Sequence, residues 1–355
     1  MIGASKISND MAICWDMLPR VSRSFSLAIK VLPQPMAGQM MLSYIIYRII
    51  DTIEDCSTPQ KKELFGGFVS LLSQKSVDMA QVGRMRNRML KEIRCTYEKE
   101  LLQNLPSIAR AYYSLPNGAR ASIIKWGKVM AEGMYEFQNR PIRTFADQDR
   151  YSYYVAGVVG YLFNDLLYHN RIITQKTRKE LHVYAKKFGL ALQKVNILRD
   201  VASDIPSRRY YWPKKILEKH SLDYEALLKK ENRRMAMRVL NEEIENALEY
   251  LYSGMRYIIS LPQNALKVRM FCLIPLFMAI ESYVKCINNS DVFDVGSKVK
   301  ISRVQVHEIV AKCALWGTSN ERLVTWFLET ISKANPALAK NKQAQMLLAA
   351  NRVSS

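Results

Sequence analysis

Along almost the whole chain, apolar residues recur at three- and four-residue steps, and strand-like alternation never persists beyond a few positions. That period leaves helices as the building material. The spacing predicts one helix over 36–55, where Met40, Tyr44, Tyr47 and Asp51 share a face. It predicts others over 84–102, 119–139, 147–168, 176–205, 224–260, 268–288 and 304–334. Breaks fall at Pro33 and Pro35, Pro106, Pro116-Asn117-Gly118, Pro141, Pro206, Pro213, Pro262 and Pro336. Only 14 Gly and 12 Pro punctuate 355 residues, which excludes collagen-like and low-complexity chains. An apolar share of 49% excludes a disordered one. No repeat of 20–50 residues and no long linker marks a second domain. The expectation is a single all-α domain over residues 1–335, followed by a polar tail over 336–355.

Charge narrows the partner. Lys and Arg number 52 against 32 Asp and Glu, a net +20. Such an excess suits nucleic acid, membrane headgroups or a phosphorylated small molecule, and it also suits a solvated basic surface. The positive charge is spread: residues 171–199 hold eight Lys/Arg and one Glu, and 205–240 hold ten against four acids. Six cysteines, at 14, 56, 95, 272, 286 and 313, show no metal or redox spacing and fit a reducing, cytoplasmic setting. The four histidines are scattered, which argues against a histidine-based metal site. Asp10 and Asp16 come too early for a secretory signal. The longest uncharged run, 31–47, contains Pro33, Gln34, Pro35, Gly38 and Gln39, so no membrane span is expected. The nucleotide fingerprints GxGxxG and GxxxxGK[ST] are absent.

Two acidic clusters carry the chemistry. The first is Asp51-Thr-Ile-Glu54-Asp55; the second is Asp200-Val-Ala-Ser-Asp204, just before Pro206. In each, two aspartates stand at i and i+4 on one helix face, where like charges repel by a few tenths of a kcal/mol. Either cluster alone also reads as a solvated face. Their surroundings favour a hard dication. Arg48 precedes Asp51 by one turn, Arg199 directly precedes Asp200, and Arg208, Arg209, Lys214 and Lys215 follow Asp204. Magnesium is typically held by one or two carboxylates together with substrate phosphates. Arginine takes the remaining phosphate oxygens. Two such clusters in an apolar, aromatic-rich helical chain point to a leaving diphosphate on a hydrocarbon substrate, with water excluded from a carbocation.

At this point the motifs resemble those of the squalene/phytoene synthase family, over residues 16–300. Val21-Ser-Arg23-Ser-Phe25 with Leu32-Pro33 is similar to its N-terminal signature. Tyr44-Ile-Ile-Tyr-Arg48-Ile-Ile-Asp51-Thr-Ile-Glu54-Asp55 is similar to its first aspartate-rich motif. Tyr153-Tyr154-Val155-Ala-Gly157-Val-Val-Gly160 is similar to its central helix motif. Gln193-Lys-Val-Asn196-Ile-Leu-Arg199-Asp200-Val-Ala-Ser-Asp204, with Arg209 and Trp212-Pro213, is similar to its second. The segment Phe271-Cys-Leu-Ile-Pro275 and the stretch from Cys286 to Phe293 resemble the squalene synthase branch. Lys298-Val-Lys300 matches that branch's Lys-x-Arg, with lysine in second place, and Leu276 stands where glutamine is usual.

The resemblance implies an isoprenoid synthase helical bundle with a central cavity between two aspartate-rich helices. It implies magnesium on Asp51, Glu54, Asp55, Asn196, Asp200 and Asp204. It gives diphosphate to Arg23, Arg48, Arg199, Arg209, Lys298 and Lys300. Tyr44 and Tyr154 would act beside the reacting carbons, with Tyr154 handling a proton. Phe25, Val155, Gly157, Gly160, Gln193 and Phe271 would line the hydrocarbon channel, although Gly157 and Gly160 equally suit close helix packing. Asn196, Lys298 and Lys300 would touch NADPH. The implied reaction joins two farnesyl diphosphates head to head into presqualene diphosphate, which NADPH then reduces to squalene. The alternative is the same fold without reduction, giving dehydrosqualene, presqualene diphosphate or phytoene. A monomer is expected, with no nucleic-acid partner and with peripheral contact to an anionic membrane.

Overall fold

A computed structural model describes residues 4–93, 96–297 and 299–354. Among the described residues every regular element is helical. The chain forms two compact units, Met1–Asn139 with Tyr161–Arg178, and Arg140–Gly160 with Lys179–Ser355.

In the first unit the helix Met36–Asp55 is central, packed by Ala4–Val21, Leu105–Tyr113 and Asn117–Phe137. Its sequence is apolar on nearly every side, which is what a buried helix requires. Tyr47 is buried, and its hydroxyl donates to the Ile123 carbonyl at 2.9 Å. Around this core, polar pairs tie the surrounding helices together. Arg110 grips the buried Asp10 carboxylate with two bonds of 2.7 and 2.6 Å. Asp165, also buried, accepts from the Trp126 indole at 2.8 Å and from Arg178 at 2.9 Å.

The second unit is built on Leu266–Cys286, which packs against Arg233–Ile259, Arg303–Trp316 and Asn320–Ala334. Pro275 lies inside that helix at the cost of one backbone hydrogen bond. Arg269 on the same helix is fully buried, with no carboxylate partner among the described residues. It donates instead to the carbonyls of Leu261 (2.9 Å) and Gly317 and to the Asn320 amide oxygen. Those carbonyls belong to two helix ends, so one guanidinium satisfies groups that helix termini leave open. Burial pulls its pKa down to about 10.

The expected helices differ from the structure chiefly at their breaks. The segment 84–102 divides into Met79–Glu92 and Thr96–Gln103. The segment 304–334 divides at Gly317, and 224–260 begins with the short turns Tyr224–Leu227 and Lys230–Asn232. Four helices outside the expected segments complete the first unit: Ala4–Val21, Arg23–Val31, Lys61–Leu72 and Leu105–Tyr113. Residues expected as a polar tail include the helix Lys342–Ser354, which buries Ala344 and Leu347 against Arg233–Ile259 and Asn320–Ala334.

Candidate active site

The helix Met36–Asp55 buries 15 of its 20 residues. The five left are Tyr44, Arg48, Asp51, Glu54 and Asp55. Tyr44, Arg48, Asp51 and Asp55 follow one another at helical spacing down a single stripe. The helix ends at Asp55, with no basic residue in its last turn. The macrodipole favours cations there, so each acid stands at the wrong end by about 0.3–1 kcal/mol. The Lys61 ammonium supplies one cation, donating to the Glu54 carbonyl at 2.6 Å, and Arg48 pairs with Asp51 one turn along.

Arg48 has a second acceptor that the sequence did not suggest. Its other terminal nitrogen lies 3.5 Å from Glu98, fifty positions away on the helix Thr96–Gln103. Burial pushes the Glu98 carboxyl up; Arg48 opposes that shift, and Asp55 and Asp51 add to it. Burial alone would lower the Arg48 guanidinium, but Asp51, Tyr44, Glu98 and Asp55 together hold it above its ordinary value. Phe25 lies beside Tyr44, ring centroids 5.7 Å apart. Burial raises the Tyr44 hydroxyl, against a hydrogen bond with Ser22. The Arg23 side chain lies outside the described residues.

The second cluster repeats the pattern in the other unit. The helix Gln175–Asp204 ends on its own acid, again with no basic residue in the last turn. Its final turns leave Gln193, Asn196, Arg199, Asp200 and Asp204 unburied, with Asn196, Asp200 and Asp204 at successive four-residue steps. Arg199 forks onto Asp200, its Nε 2.7 Å from Oδ1 and its Nη2 on Oδ2. Burial lowers this guanidinium, and Asp200, with Cys286 and Asp204, more than restores it. After Asp204 the chain turns back. The Arg209 amide donates to the Asp204 carbonyl at 2.9 Å, and the buried Trp212 indole donates to the Ile197 carbonyl at 3.1 Å. Arg209 is exposed on that turn.

Tyr154 and Val155 belong to a π-helical turn, Tyr153–Gly157, set between Phe145–Ser152 and Val158–His169. Such turns are rare and often accompany functional sites. Arg150 approaches the Tyr154 hydroxyl at 3.4 Å. Behind this turn, glycines let two backbones meet. A Cβ on Gly160 would lie 1.9 Å from the Ala185 carbonyl oxygen, and one on Gly189 would lie 2.2 Å from that of Ala156. On Gly157 a Cβ would press on Leu190 at 2.8 Å. Of the two readings open for Gly157 and Gly160, close helix packing is the one these distances describe. Phe271 is buried in the same unit. Lys300 is exposed, its carbonyl accepting from Lys285 at 2.9 Å, and Lys298 lies outside the described residues.

Beneath the second cluster lies a polar core that the sequence also left unmarked. Lys194 is buried; its ammonium sits 2.6 Å from Asp149 and 2.7 Å from the Gln148 amide oxygen, and bonds to Asn246. The Gln148 amide nitrogen donates to both oxygens of buried Glu243, at 3.0 and 3.1 Å. Burial pushes the Glu243 carboxyl up to about 7.

The donor set suits magnesium. Both clusters offer only carboxylate oxygens at the exposed end of a helix, and Asp51 and Asp200 each have 37% of the side chain open to solvent. No ready-made group of three acids, histidines or cysteines exists among the described residues.

The family model "Squalene/phytoene synthase" matches residues 18–305. The chain belongs to the squalene/phytoene synthase family. Squalene synthase of Rattus norvegicus is 31% identical over 307 residues, covering 83% of this chain and 68% of the rat protein. The solved structure of TcSQS in complex with the ligand E5700 superposes with a TM-score of 0.81 at 28% identity, over 97% of this chain and 98% of that one. A dehydrosqualene synthase structure shares the fold at a TM-score of 0.62 and 19% identity, over 89% of this chain and 99% of that one. No helix of the described residues is long and apolar enough to cross a membrane.

Proposed function

We propose that the chain is a squalene synthase. It would condense two farnesyl diphosphates to presqualene diphosphate and reduce that product to squalene. The observation that carries the reading is the stripe of the buried helix 36–55, where only Tyr44, Arg48 and three acids stay unburied. Burying a helix on all sides but one polar stripe makes sense when the stripe faces a polar ligand at the edge of an apolar site. The similarity to squalene synthases such as the rat enzyme and TcSQS supplies the substrate class.

In this reading Asp51, Asp55, Asp200 and Asp204 hold magnesium, with Glu54 and Asn196 as further oxygen donors. When bound, the ion neutralises charge developing on the leaving diphosphate. Arg48, Arg199 and Arg209, with Arg23, Lys298 and Lys300, take phosphate oxygens. The allylic carbon of one substrate loses diphosphate, and the double bond of the second attacks it. Loss of one proton, handled at the Tyr154 hydroxyl, closes the cyclopropane. Apolar side chains such as Phe25, Val155 and Phe271, with Gln193, keep water from the cation. NADPH, when bound, supplies the hydride that ends the second ionisation, and Asn196, Lys298 and Lys300 are the residues offered to it. The basic stretches 171–199 and 205–240 would draw the protein to anionic membrane, where a C30 hydrocarbon partitions.

The test is diphosphate release from farnesyl and geranylgeranyl diphosphate, with and without magnesium. Release from farnesyl diphosphate that requires magnesium supports the reading. Preference for the longer substrate would overturn it in favour of a phytoene synthase.

A further inference from the structure

Glu98 lies outside both acidic motifs, yet it reaches the first cluster through Arg48. Arg48 spans two carboxylates: one terminal nitrogen pairs with Asp51, and the other lies 3.5 Å from Glu98 Oε1. Glu98 has 17% of its side chain exposed, against 37% for Asp51. The two acceptors are thus unequal: the deeper carboxylate is the one no motif includes. A carboxylate that is half buried is costly to leave unpaired, so Glu98 retains a cation strongly once one is beside it.

Asp51 cannot serve Arg48 and a dication equally. If Asp51 turns to a metal, Arg48 loses its nearer partner. Without a second acceptor the guanidinium would either stay on Asp51, competing with the ion, or swing free and lose its aim. Glu98 removes both outcomes. It accepts one edge of the planar fork and leaves the other edge to face phosphate oxygens.

We infer that Glu98 is a positioning residue that draws Arg48 off Asp51 and aims it at the diphosphate. This rests on the proposed diphosphate chemistry. Glu98 acts through Arg48 and touches neither metal nor substrate.

A double-mutant cycle tests this by calorimetric binding of inorganic pyrophosphate in saturating magnesium, which involves no turnover. Glu98→Gln keeps the side chain's shape and removes its charge. It is expected to weaken pyrophosphate binding about tenfold, the size of one charge-assisted bond. Arg48→Ala weakens it at least as much. In the Arg48→Ala background, Glu98→Gln should change binding less than about twofold, because the residue it positions is gone. In steady state, Glu98→Gln should raise KM for farnesyl diphosphate more than it lowers kcat. Equal losses from Glu98→Gln in both backgrounds would overturn the inference, since Glu98 would then act independently of Arg48. So would unchanged binding in an otherwise intact Glu98→Gln protein. If Glu98→Gln does not fold, Glu98→Asp, which keeps the charge on a shorter arm, must give an intermediate loss that vanishes with Arg48→Ala; any other pattern overturns the inference. A wild-type protein that fails to bind magnesium pyrophosphate defeats the proposed function as well. Normal wild-type binding with an unaffected Glu98→Gln defeats this inference alone.

Discussion

The two acidic clusters look like copies, but they are supported differently. Each ends a helix, against the macrodipole, and each carries one arginine on its first aspartate. At the first cluster the arginine is shared with an acid fifty positions away, and the helix beneath is buried in hydrocarbon. At the second the arginine forks onto the adjacent Asp200. There the helix runs over a buried polar core of Lys194, Gln148, Asp149, Asn246 and Glu243 and beside a glycine-mediated backbone contact. The difference teaches that the same acidic helix end can be built on apolar packing or on a hydrogen-bonded core. The two should then fail in different ways.

The largest effect should be common to both. Asp51→Asn and Asp200→Asn should each lower the farnesyl diphosphate turnover by about a thousandfold, the worth of several kcal/mol of metal-borne charge stabilisation. A steady-state assay in which only one cluster matters would break the equivalence. Stability should separate them next. Gly160→Ala and Gly189→Ala drive a Cβ into a backbone carbonyl, which cannot move as a side chain can. Each should cost about 3 kcal/mol or more in chemical denaturation. Gly127→Ala, in the first unit, meets the Tyr47 ring at 3.1 Å and should cost about 1 kcal/mol.

The polar core gives the second unit a pH signature of its own. Folded Glu243 keeps its proton to about pH 7, whereas the unfolded chain releases it near the ordinary 4.5. Stability from that proton is complete below about 4.5, falls as pH rises to about 7, and is level above. The total is about 3 kcal/mol at most. Burial sets it first; Lys194 and Gln148 favour ionisation, and Asp149 and Glu242 oppose it. Glu243→Gln should flatten this fall when unfolding is followed from pH 4.5 to 8. An unchanged slope would remove Glu243 as its source. Smallest is the arginine comparison. Arg199→Lys loses a two-bond fork and should raise KM for farnesyl diphosphate about tenfold. Arg48→Lys, with Glu98 still able to hold an ammonium, should raise it less.

The sequence made the local parts of this plan readable. Helical period and the i, i+4 aspartates depend on neighbours within one or two turns, and both the helix 36–55 and the acid ends appear where the pattern put them. The N-terminal, central and aspartate-rich motifs led to the family that the family model also matches. What stayed hidden depends on distant partners. Glu98 has no motif; only folding brings it to Arg48. Gly189 is unremarkable in sequence and becomes necessary through the Ala156 carbonyl. Lys194 counted as one more positive charge in a basic stretch, yet it is buried among oxygens. Gly160 admitted two readings, and the Ala185 carbonyl chooses between them.

The reaction itself is tested most directly by product analysis. Purified protein is given farnesyl diphosphate and magnesium, with or without NADPH, and lipid products are separated by gas chromatography after phosphatase treatment. The account predicts squalene with NADPH and presqualene alcohol, from presqualene diphosphate, without it. Dehydrosqualene in both reactions, or no C30 product in either, would contradict it.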